Sequence, residues 1–103
     1  MEKKTVWTRE LTNIGLLQNA KKVYYDILFD EESKRYGVQI TEVFNEVHIS
    51  EQETNIFGNK LHADNFLMFL YENAIGCAVL HDVLQDLKVM GILEGNNTVK
   101  LGE

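Results

Sequence analysis

A chain of 103 residues with 45% hydrophobic and 25% charged side chains is long enough for one packed core and too short for two, which argues against a tandem enzyme and against disordered and fibrous classes. Ten basic against sixteen acidic residues give a net charge of −6, so the body of the domain repels nucleic acid and anionic lipid and suits a basic partner. There is no proline, which removes proline-rich ligand motifs and X-Pro isomerisation steps.

Taken in chain order, Val6 to Leu11 carries a strand-like pattern, whereas Asn13 to Ala20, with Leu16-Leu17, shows no clear period and is assigned to neither class. Val23, Tyr25, Ile27 and Phe29 alternate with Tyr24, Asp26, Leu28 and Asp30, the period of a strand. The polar run Asp30 to Lys34 supplies a turn, and Tyr36, Val38 and Ile40 resume the alternation, so strand, turn and strand form an antiparallel hairpin. Val43, Phe44, Val47 and Ile49 prolong the extended pattern, Glu51-Gln52-Glu53 is expected as an exposed tip, and Thr54 to Phe57 as a short returning strand. From Asn59 the period changes. Asn59 is a candidate N-cap for a helix through Asn73, with Ala63, Phe66, Leu67, Phe69 and Leu70 spaced by threes and fours. Gly76 interrupts it, and a second helix from about Cys77 to Met90 gathers Leu80, Val83, Leu84 and Leu87 on one face, with Gly91 as its C-terminal cap. The tail Ile92 to Glu103 is left open. Strands followed by two helices predict one α+β domain over residues 1–103, a small antiparallel sheet with helices packed on one face.

Charge is unevenly placed. Residues 1–25 carry +3 and the remainder −9, and between Arg35 and Lys60 there is no lysine or arginine while Glu42, Glu46, Glu51 and Glu53 fall there. Those four glutamates are the first candidates for a partner-binding acidic face, joined by Asp82 and Asp86 on the polar side of the second helix. The single Cys77 forms no intramolecular disulfide, and no leader-like segment or bilayer-length apolar run is read, so the expected compartment is the cytoplasm. The run Phe66 to Tyr71 exceeds one helical stripe, which raises the question of a partly exposed face or a second copy docked on it.

Catalytic and cofactor patterns are sparse. Cys77 and His81 stand four apart on one predicted helix face, but two ligands do not make a metal site, and His48 and His62 fall on other elements. Ser33 and Ser50 lie outside any nucleophile elbow, and no glycine-rich phosphate loop is present. Asp82 and Asp86 would need a third ligand to hold Mg²⁺ for a metal-dependent RNA-processing nuclease. No catalytic residue, metal or cofactor is therefore assigned.

Three segments carry a family likeness: Val23-Tyr24-Tyr25-Asp26-Ile27-Leu28, Tyr36-Gly37-Val38-Gln39-Ile40, and Leu70-Tyr71-Glu72-Asn73 through Leu80-His81-Asp82-Val83-Leu84-Gln85-Asp86. Together, over about residues 22–90, they resemble a small domain family of unknown function from Gram-positive bacteria. Gly76-Cys77 stands where that family has Ser-Pro, so the second helix begins without the serine cap. In size, charge and architecture the chain is also similar to anti-CRISPR inhibitors of the type II RNA-guided nuclease, proteins of mobile genetic elements. That likeness implies a non-enzymatic inhibitor in the cytoplasm of a bacterial host, binding a basic nuclease and blocking guide-RNA loading or target engagement. It carries over no functional residue. The alternative expectation is a cytoplasmic protein-interaction module, with homodimerisation open, of unknown physiological role.

Overall fold

A computed structural model of the chain describes residues 1–11 and 20–89. The stretch containing Leu16-Leu17, the cap at Gly91 and the tail from Ile92 lie outside the described residues. Four strands, β1 (Glu2–Leu11), β2 (Lys21–Asp30), β3 (Arg35–Phe44) and β4 (Val47–Phe57), are followed by α1 (Lys60–Glu72), a 3₁₀ turn (Cys77–Val79) and α2 (Leu80–Val89). The strands form one antiparallel sheet in the order β1-β2-β3-β4, and both helices follow it in the chain. The fold is α+β.

The period-2 pattern sets which side chains meet the helices. Cross-strand partners line up in rows on that face: Trp7, Tyr25, Ile40 and Glu51 make one row, and Lys4, Ile27, Val38 and Glu53 the next. Hydrophobic residues occupy the two central strands, while the edge positions are charged except for Trp7. Val38 and Ile40 are fully enclosed against Leu67, Leu70 and Leu80 of the helical layer. In α1 the buried set is Ala63, Phe66, Leu67 and Leu70, so the long apolar run is split, with Met68 and Phe69 exposed. Asn59 caps this helix as expected, its side chain accepting the His62 N–H at 2.9 Å.

Two turns differ from the expected layout. The sheet does not run on to a tip at Glu51-Gln52-Glu53; it reverses at Asn45-Glu46, and Glu51 to Glu53 sit in the middle of β4. Asn45 and Glu46 take φ of 51° and 66°, the two left-handed residues of a tight hairpin turn. A glutamate rarely occupies the second of these positions, which explains why composition did not mark it. Farther along, β4 bulges: Tyr36 pairs with Phe57 but Val38 with Glu53, so residues 54–56 stand opposite Gly37. A Cβ on Gly37 would overlap the Glu53 carbonyl and approach Thr54 Cα to 2.8 Å, so the bulge requires a glycine here.

The other sheet face is polar but not simply solvated. Asp26 is 1% exposed and its carboxylate accepts the Thr5 hydroxyl at 2.6 Å, while Leu28, the partner of Gly37, is 3% exposed. Beside them Gln39, Thr41 and Ser50 form a hydrogen-bonded side-chain ladder. At the C-terminal end of α1, Trp7 stacks on Tyr71 at 4.7 Å, Tyr25 meets the same ring edge-on, and Arg9 donates to the Tyr71 carbonyl at 2.6 Å. These contacts tie the far half of β1 to the helical layer.

Candidate functional site

The six acidic candidates separate into two roles once the register is known. Glu42 follows Tyr36, Val38 and Ile40 on the helix-facing side of β3 and is turned inward, its side chain only 16% exposed. One carboxylate oxygen accepts the Cys77 N–H at 2.6 Å and the other pairs with Lys21 at 3.0 Å. Burial works to raise the Glu42 pKa, but the Cys77 bond and the Lys21 charge outweigh it and hold the carboxyl below the ordinary glutamate range. Gly76, which starts the 3₁₀ turn without a side-chain cap of its own, leaves the space that this carboxylate uses. Glu42 therefore caps the second helical segment from β3 and, contrary to expectation, is not part of the exposed acidic face.

Glu46, Glu51 and Glu53 gather at one edge. Glu51 and Glu53 lie on β4, whose outer side pairs with no strand among the described residues, and Glu46 stands in the turn that begins it. Glu53 reaches up to α2, where its carboxylate meets His81 Nδ1 at 2.9 Å, and Gln85 stands one turn beyond His81. Asp82 and Asp86 occupy the side of α2 roughly opposite Leu80 and Leu84 and are exposed. The Glu53–His81 contact, between residues 28 apart in the chain, thus brings the β4 carboxylates and the exposed α2 carboxylates onto neighbouring elements.

Apolar side chains flank that charge. Phe44, Val47 and Ile49, all at the hairpin end of the helix-facing side, are 40%, 56% and 55% exposed, and Val79 of the 3₁₀ turn is exposed as well. Sequence reading took these residues as ordinary strand continuation and missed them as surface. The available signal was parity: Phe44 and Ile49 share the face of Ile40 but lie outside the buried core.

The remaining candidates are structural. Cys77 is buried, its thiol donating toward the Ile40 and Ile49 carbonyls at 3.3 and 3.4 Å, and burial first, then Glu42, pushes its pKa up to about 11. It points into the sheet while His81 pairs with Glu53, so the two do not converge as metal ligands. Among the described residues no three histidine, cysteine or carboxylate side chains group around a common point, Asp82 and Asp86 included. No helix among the described residues is long and apolar enough to cross a membrane. Compared with known proteins, the chain matches no family model, no curated protein and no solved structure.

Proposed function

We propose that this protein works by binding, as a non-enzymatic inhibitor that lays the β4–α2 edge on the basic surface of a nucleic-acid-handling nuclease. The observation that carries this reading is the adjacency of exposed Phe44, Val47 and Ile49 to Glu46 and Glu51 along the open β4 edge, with exposed Asp82 and Asp86 on the helix that Glu53 meets through His81. Apolar anchors supply affinity, and the surrounding charge supplies steering and discrimination. A net charge of −6 is modest for a mimic of nucleic acid, so the apolar anchors matter most. The partner class we infer is the type II RNA-guided nuclease, whose guide-RNA channel is positively charged, met in the cytoplasm of a bacterial host.

The test is cleavage by purified effector, with the protein added before or after guide RNA. Inhibition that depends on the order of addition is expected. Joint Val47→Ser and Ile49→Ser replacement should weaken inhibition about 30-fold or more, equivalent to roughly 2 kcal/mol at a central hot spot. Joint Glu46→Gln, Glu51→Gln, Asp82→Asn and Asp86→Asn replacement should slow association and blunt its salt dependence. Undiminished cleavage under both orders of addition rejects the nuclease as partner. A second reading, a protein-interaction module that pairs with its own copy, draws on the same open β4 edge, and sedimentation of the protein alone distinguishes it.

A further inference from the structure

The helical layer leaves one part of the sheet uncovered. Helix α1 packs mainly on β2 and β3, and the first half of β1 stands apart from it, so a cleft of about 710 Å³ opens between them. Trp7, Ile27, Phe29 and Met68 give it an apolar lining, and Phe29 is braced by the Tyr36 ring at 4.8 Å. Trp7 is held in place by its stack on Tyr71. Lys4 and Lys60 stand around this lining, with Glu2 and Asp64, whereas Lys3, the partner of Leu28, belongs to the other sheet face. Asp64 is already taken up by Lys60 at 2.8 Å, whereas Lys4 has no ion-pair partner among the described residues. A chain that is acidic over most of its length therefore keeps a lysine without an ion-pair partner beside this apolar recess.

We propose that this cleft binds an amphipathic organic anion, with its apolar body against Phe29, Trp7 and Met68 and its anionic group toward Lys4. The volume falls within the roughly 300–1,000 Å³ of small-molecule sites, whose linings are likewise mostly apolar with a few polar groups that orient the ligand. An inorganic anion would leave the aromatic lining in water, and a cationic amphiphile would meet Lys4. From Glu2 to Trp7 the β1 wall runs about 17 Å at roughly 3.3 Å per residue, enough for an extended acyl chain. The cleft lies away from the β4–α2 edge, so this site stands or falls independently of the proposed inhibition.

Trp7, the single tryptophan, lines the cleft and reports occupancy directly. The probe is dodecanoate, titrated while Trp7 emission is followed, with dodecanol as the uncharged analogue and thermal unfolding as the check on each variant's fold. A saturable one-site response is expected, at least tenfold weaker for dodecanol and for Lys4→Glu, lost in Met68→Glu, and unchanged in the Val47→Ser, Ile49→Ser variant. No response below the concentration at which dodecanoate self-associates overturns the proposal. So does equal binding of dodecanol, or an unaltered titration by folded Lys4→Glu. A Trp7 signal that moves with protein concentration alone assigns the cleft to a second copy of the chain and overturns it too.

Discussion

Replacing Glu42 by alanine removes the cap that the second helical segment borrows from β3. The lost bond is short, 2.6 Å from the Cys77 N–H, and charge-assisted, and the carboxylate is 16% exposed, so water replaces it poorly. A hydrogen bond to a charged group contributes about 1.5–3 kcal/mol and a partly exposed ion pair up to ~1 kcal/mol, so Glu42→Ala should cost about 2–3 kcal/mol. For a domain of this size that lowers the thermal midpoint by roughly 10–20 °C. Glu42→Gln keeps an acceptor for Cys77 and should lose only about 1 kcal/mol. Acidity gives an independent check. The folded-state pKa of Glu42 lies below its ordinary value of 4.5, so the stabilisation is fully present above that value and is lost as pH falls through the folded pKa. The stability gap between wild type and Glu42→Gln should accordingly be constant near neutrality and close in acid. Denaturant unfolding at several pH values measures both effects. A Glu42→Ala midpoint unchanged at pH 7, or a gap to Glu42→Gln that widens in acid, refutes the capping role.

Other sites give sharper single outcomes. Gly37→Ala forces a Cβ into the β4 backbone at the bulge and should destabilise by about 3 kcal/mol or more, visible as a collapsed unfolding midpoint or an insoluble product. Glu46→Gly should do the opposite, raising stability by about 0.5–1 kcal/mol because glycine takes a φ of 66° without strain, while weakening partner binding. Cys77, with its pKa pushed up to about 11, should be roughly one-thousandth thiolate at pH 8, so a disulfide reagent should label it only as fast as the chain opens; rapid labelling of native protein contradicts its burial.

Much of the layout was readable because strong local signals agreed with the final packing. The alternation from Val23 to Phe29, the turn at Asp30 to Lys34 and the cap at Asn59 each act over a few residues. Reversal at Asn45-Glu46 was not readable, because the second residue holds a left-handed conformation through tertiary pairing of β3 and β4 and not through its own preference. The candidate site divided similarly. Charge counting found Glu51, Glu53, Asp82 and Asp86, but only the sheet register brings Glu53 to His81 and so joins the two sets. Glu42 was misjudged for the converse reason: an acidic residue two positions beyond Ile40 was assigned by its chemistry to the surface, although parity put it under the helices.

The strictly sequential order of the strands also bears on how the chain is made. Each strand pairs with the one just before it in the chain, so β2 can close on β3 and β3 on β4 through short loops with little entropy loss, before α1 docks on the sheet. During that interval Val23, Tyr25, Ile27, Val38 and Ile40 form a finished apolar surface with nothing over it. The growing polypeptide is therefore most prone to aggregate between completion of β4 and docking of Leu67 and Leu70. Truncation after Phe57 should reproduce that vulnerable species, and its sedimentation beside the full chain would expose the hazard.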